Sequence, residues 1–214
     1  MIAETIPRTS LTTNGFGRKR KIPAALIKET IDGIPFYYAG FRNERKKATE
    51  FIGLTGGIKR SSFIKSGLIE ILLNGLDLNR FHLFAGEIGC QLGSDSILAI
   101  GLAIFEKTRL PNHKINTKYI DVAPNVVIEI DVNVEVDDRQ ANLFEEFVLR
   151  KVKKLHAFGT EKVIWIFTKS KMIVVAKPGG EWQVLDWDCE IELIDGIKFN
   201  LAEHLKNEGI LLDF

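Results

Sequence analysis

The sequence predicts an α/β protein of mixed α+β type: one mixed β-sheet with helices on its faces, extended by an antiparallel C-terminal meander. Three observations carry this. Residues 125–168 read NVVIEIDV, a polar break, FEEFVLRKVKKLHAFG and EKVIWIFT. That is a strand, an amphipathic helix and a second strand, and a β-α-β unit of this kind is normally a right-handed parallel crossover. Shorter strands follow in KMIVVAKP, EWQVLDWD and EIELID, with turns at KPGG and at Asp195-Gly196. No repeat, low-complexity block or linker interrupts the chain, so residues 22–214 are expected to form one domain behind an arm at residues 1–21.

The composition is that of an ordinary globular protein. Of 214 residues, 45% are apolar, enough to bury a sizeable core. Twenty-nine basic against 28 acidic residues leave a formal charge of +1, which gives no support to a nucleic-acid partner and leaves room for a local patch. Cys90 and Cys189 match no metal-ligand spacing. With no charged-then-apolar leader and no apolar run near the length of a span, a cytoplasmic location is expected.

In chain order, residues 1–21 are polar and end in Arg18, Lys19, Arg20 and Lys21, the pattern of a solvated, loosely attached arm. Pro23 opens AALIKETIDG, and Asp32-Gly33 is a turn signal before the strand-forming aromatics of PFYYAGF. GLTGG at 53–57 is a glycine-rich loop. It fails as a phosphate-binding P-loop, because Ile58 separates Gly57 from Lys59. The next segment has helical spacing in Ile58, Phe63, Ile64, Leu68, Ile71 and Leu72. RFHLFAGEIGCQLG and SILAIGLAIFE read as strands around a Ser94-Asp95 turn. Gly101 sits inside the second, where glycine marks a bulge or a close approach. At the C-terminus FNLAEHLKNEG predicts a short helix with Asn200 as N-cap and Gly209 as C-cap.

Two residues in the central unit suggest chemistry. Alternation along NVVIEIDV places Val127, Glu129 and Asp131 on one face and Val126, Ile128, Ile130 and Val132 on the other. The first face turns polar toward its C-terminal end, where open sheets place their sites; a sheet with one wet face would look the same. The helix carries an apolar stripe through Phe144, Phe147, Val148, Val152, Leu155 and Phe158, and Lys151 lies along it. An inward lysine either snorkels out or pairs with an acid, and Glu129 is the obvious partner. A carboxylate beside a lysine suits metal-assisted phosphodiester hydrolysis, the acid holding a divalent ion and the lysine steadying developing charge. Structural Glu–Lys pairs look alike in sequence.

These blocks resemble the Uma family of restriction-endonuclease-like proteins, a branch of the PD-(D/E)XK nuclease superfamily. APNVVIEID, the spacing of Lys151 to Gly159, KVIWIFT, the earlier ETIDGIPFYY and the closing FNLAEHL carry the likeness over residues 26–205. The resemblance implies a restriction-endonuclease-like fold and metal-dependent cleavage of DNA with Mg²⁺ or Mn²⁺. It implies Glu129 as metal-binding acid, the Ile130 carbonyl as a further metal ligand, Lys151 as active-site lysine and Glu29 as auxiliary acid. A homodimer is expected, since a two-fold pair can address both strands of a duplex.

The departures from the family pattern are specific. Gly101 stands where a second metal acid belongs, Pro124-Asn125 replaces Pro-Asp, Leu155 replaces a tyrosine, and EIDVNVE lacks the Ser-Pro that usually follows the acid. Asp95, Glu87 and Asp121 are the candidate substitutes for the missing ligand. The alternative to an endonuclease is a catalytically inactive nuclease fold kept for binding or as a scaffold.

Overall fold

A computed structural model describes residues 22–44, 59–110, 118–137, 142–180 and 182–210. The basic arm and the GLTGG loop lie outside the described residues. Among those described, nine strands form one sheet: β1 (Ile27–Ile31), β2 (Ile34–Tyr38), β3 (Phe81–Gln91), β4 (Ile97–Glu106), β5 (Val126–Ile130), β6 (Val134–Glu135), β7 (Lys162–Phe167), β8 (Met172–Ala176) and β9 (Gln183–Asp186). The path runs β6-β2-β1-β4-β5-β7-β8-β9, with β3 paired to β4. β5 and β7 are parallel and the remaining neighbours antiparallel, as the strand–helix–strand pattern predicts.

The sheet forks at β4. Ile97 pairs with Gln91 of β3 and with Thr30 of β1, while Leu102 pairs with Ala85 of β3 and with Ile128 of β5. A strand has two edges, so β1 and β5 share the edge that β3 leaves free. They meet it at different heights, and residues 98–101 lie between the two ladders. Opposite this gap β3 carries a bulge, with Gly86 and Glu87 between the pairs Ala85↔Leu102 and Ile88↔Ile100. Leu98 and Ile100 pack on one face of the sheet but Leu102 and Ile104 on the other, so side-chain alternation breaks at Gly101. This is the position where a strand glycine has a structural reason.

Both faces are covered. One carries α2 (Lys59–Gly75), α4 (Leu201–Asn207) and the hairpin of β10 (Glu190–Ile194) and β11 (Ile197–Asn200), burying Ile64, Leu68, Leu72, Leu193 and Phe199 against Ile128, Ile164 and Ile166. The other carries a π-helical turn, Phe144–Leu149, that continues as α3 (Arg150–Ala157) and buries Phe147, Val148, Val152 and Leu155 against Val127, Val163 and Trp165. A one-turn helix, α1 (Phe41–Glu44), follows β2. The alternation read along NVVIEIDV holds through Ile130, with Val126, Ile128 and Ile130 on the α2 side and Val127 on the α3 side. It fails beyond that point: β5 ends there, Asp131 turns with φ +58° to bond Ser61 of α2, and Val132 packs on the α3 side. The wet-face reading does not hold, because α3 closes over it.

Three expectations need correction. EIELID does not extend the meander: β8 and β9 do so, but β10 pairs with β11 in a separate two-stranded sheet, because its alternate Ile191 and Leu193 bury against the α2 layer. The α3 stripe is shorter than its sequence pattern, since Phe144 and Phe158 are exposed at its two ends. Phe63 faces outward on α2, whose buried line is Ile64, Leu68, Leu72 and Leu76. The final helix starts as predicted, with the Asn200 side-chain oxygen accepting a hydrogen bond from the Glu203 amide at 2.9 Å, and Gly209 follows it with φ +65°.

Candidate active site

The fork is where the predicted residues meet. Glu29 comes from β1, Glu129 from β5 and Lys151 from the first turn of α3, 122 residues away from Glu29 in sequence. The Lys151 ammonium lies 3.0 Å from Glu29 Oε2 and 2.9 Å from Glu129 Oε1, and it donates a 2.8 Å hydrogen bond to the Ala99 carbonyl. Ala99 also donates its amide to Glu29 Oε2 at 3.4 Å. Buried backbone groups need partners. In the gap between the two ladders, Glu29 and Lys151 supply those that a neighbouring strand would otherwise give to Ala99.

Burial is deep. The side chains of Lys151 and Glu29 are each 1% exposed and that of Glu129 is 12% exposed. The ammonium is further flanked by the Phe147 ring at 5.3 Å and the Trp165 ring at 5.9 Å, both favourable for a desolvated cation. Two carboxylates share one cation, so the cluster carries an uncompensated negative charge. The proton affinities follow. Burial raises the Glu29 carboxyl above the ordinary range against the opposing pull of Lys151. The two carboxylates outweigh burial at Lys151 and push it up to about 12. Burial likewise pushes the nearby Cys90 thiol up to about 12, which makes it an inert core residue.

A narrow recess, open to solvent, reaches this cluster between β1, β5 and α3 and is lined also by Lys28, Asp131 and Asn133. Asp131 follows β5 with φ +58°, turned out of the strand. Its Oδ1 accepts from the Thr168 amide at 2.7 Å, and its Oδ2 accepts from the Thr168 hydroxyl at 2.7 Å and the Ser61 hydroxyl at 3.2 Å. Its carbonyl takes the Trp165 indole N–H at 2.9 Å, which fixes the ring beside Lys151.

A Mg²⁺ or Mn²⁺ ion asks for about six oxygen ligands, of which one or two are usually carboxylates and several are waters. The residues here do not fit that need. Both Glu29 oxygens face Lys151, both Asp131 oxygens are taken, and the Ile130 carbonyl accepts from the Asn133 side-chain Nδ2 at 3.4 Å. That leaves Glu129. Its Oε1 touches the ammonium but lies off the axis of a hydrogen bond, and it is the buried oxygen of the cluster without a donor. Among the described residues no three His, Cys, Asp or Glu side chains stand close enough to share a metal.

The three candidate substitutes are elsewhere. Asp95 is held by Lys154 at 2.9 Å and by the Ser96 hydroxyl at 3.0 Å. Glu87, on the β3 bulge, accepts from the Tyr38 hydroxyl at 3.2 Å and pairs with Lys28 at 3.5 Å. Asp121 is exposed and outside the recess. Gly101 does face the site: a Cβ built on it would sit 3.2 Å from Glu129 Oε2. Asn125, by contrast, belongs to the fold. Buried at the far end of β5, it accepts from the Glu106 amide at 2.7 Å and donates to Glu161 at 2.9 Å, a donor role that an aspartate cannot fill.

The structure brings together Glu29, Glu129 and Lys151, the residues singled out in the sequence, and adds the Ala99 backbone, which sequence reasoning missed because no residue pattern announces a fork between two ladders. Sequence reasoning also missed Trp165 as the wall of the site. An indole set directly between aliphatic residues, after Val163 and Ile164 and before Ile166, was the available signal.

No protein-family model matches this sequence, and no curated protein sequence matches it. Among solved structures, the fold is similar to that of a "putative nuclease belonging to DUF820" from Anabaena variabilis, with a TM-score of 0.62 at 18% identity over 83% of this chain and 89% of that one. The chain therefore shares that protein's fold, a large mixed sheet flanked by helices, over most of both lengths.

Proposed function

We propose that this chain is a restriction-endonuclease-like protein of the Uma type that has given up phosphodiester cleavage and acts as a binding or scaffold module. The carrying observation is Gly101. It removes the side chain that would aim at Glu129 from β4, and the remaining acids are engaged by Lys151 rather than left for a metal. One ammonium against two carboxylates also leaves the recess unattractive to a phosphate.

A second reading, a Mg²⁺- or Mn²⁺-dependent DNA endonuclease, is favoured by one observation: Glu29, Glu129 and Lys151 converge within 3.3 Å contacts at a recess that solvent reaches. On this reading the protein works as a homodimer on duplex DNA. A plasmid-nicking assay with Mg²⁺ or Mn²⁺ separates the two. The first reading expects no cleavage above a buffer control. Cleavage by the parent that disappears in Lys151→Ala would establish the second and sink the first.

A further inference from the structure

We infer that the Lys151 ammonium is the permanent cation of this centre, and that residue 101 decides whether a divalent metal can join it. The ammonium bridges three strands, touching Glu29 on β1, the Ala99 carbonyl on β4 and Glu129 on β5. It closes the fork in the way a bound ion closes a site built from separate segments. A monovalent cation needs no further acid, and Gly101 supplies none. An aspartate at 101 would set one ammonium against three carboxylates, with its Cβ only 3.2 Å from Glu129 Oε2 and 3.3 Å from the Ile128 carbonyl. That arrangement is unfavourable alone and favourable around a divalent ion, which lowers the energy of crowded carboxylates. Glu129 Oε2, the oxygen nearest that Cβ, is the atom placed to share the ion, while Oε1 stays against the ammonium. Glycine at 101 thus leaves two carboxylates to one ammonium, without the third that would call for a divalent ion.

The test uses the full chain with Mn²⁺ as the probe, read by thermal unfolding and by calorimetric titration. Gly101→Asp is compared with Gly101→Asn, which has the same size without the charge. The parent should show no saturable heat and no shift in Tm up to millimolar Mn²⁺. In EDTA, Gly101→Asp should melt below Gly101→Asn, and Mn²⁺ should raise only the aspartate variant, by several degrees. Saturable Mn²⁺ binding by the parent that is lost in Glu129→Gln overturns the inference, as does a folded Gly101→Asp that ignores Mn²⁺. If neither variant folds, the parent titration alone decides. A parent that binds Mn²⁺ without nicking DNA would defeat this inference and leave the non-cleaving reading standing.

Discussion

Replacing Lys151 with methionine keeps the length and apolar stem of the side chain and deletes its charge. In the folded protein this strands Glu29, 1% exposed, without its cation, and it leaves the Ala99 carbonyl without a donor. Removing one partner of a buried ion pair costs ~3–5 kcal/mol, a large share of the ~5–15 kcal/mol that holds a typical domain together. In a chain of this size each kcal/mol moves Tm by roughly 2–4 °C, so Lys151→Met should melt roughly 6–20 °C below the parent at pH 7. Circular dichroism during heating, with urea unfolding as the free-energy measurement, reads this directly. The triple variant Glu29→Gln, Glu129→Gln, Lys151→Met leaves no charge uncompensated and should recover most of the loss. A Lys151→Met protein melting within about 2 °C of the parent, less than 1 kcal/mol on this scale, would refute the buried cross-link.

Three further outcomes are expected. Lys151 is raised above its ordinary 10.5 to about 12, so its contribution is fully present below 10.5 and is lost as pH rises through 12; the stability gap between parent and Lys151→Met should close across that window. Glu29 is raised by burial, so protonating it favours the folded state, and in urea titrations the parent should gain on Glu29→Gln as pH falls through the carboxylate range. Asn125→Asp removes the donor to Glu161 and sets two carboxylates together; a loss of about 1–3 kcal/mol in urea unfolding is expected, and an unchanged midpoint would contradict the assigned role.

The central unit was legible because hydrophobic period reports burial directly. A glutamate and a lysine in apolar positions of adjacent elements are anomalies that local pattern can expose, and Glu129 and Lys151 proved to be in contact. Glu29 needed the family resemblance, since nothing in KET distinguishes it from a surface acid. The fork was not legible. It depends on β1 and β5 meeting the same edge of β4 at different heights, a matter of register between pairs as distant in sequence as Thr30 and Ile97 and as near as Leu102 and Ile128. The fate of EIELID was hidden for a related reason: an alternating strand does not say which sheet it joins. The exposed Phe144 and Phe158 show that a periodic stripe can outrun the surface it packs on.

The fork also bears on how the molecule comes apart. Strands β6, β2 and β1 join the rest of the sheet in main chain through a short ladder at Ile97 and the Gly33 amide to the Asp95 carbonyl. Side chains add the Lys151 cluster, Lys154 and Arg150 to Asp32, Ser96 to the Asp32 amide, Glu87 to Lys28 and Tyr38, and the core contacts of Ile31, Phe36 and Val134. Cooperative units divide where few bonds cross. This three-stranded flap is therefore a natural sub-global opening unit, tethered by side chains more than by main chain. In native-state hydrogen exchange its amides should form one group that opens below the global unfolding energy, and Lys151→Met should speed that group while leaving the β5–β7–β8 amides slower.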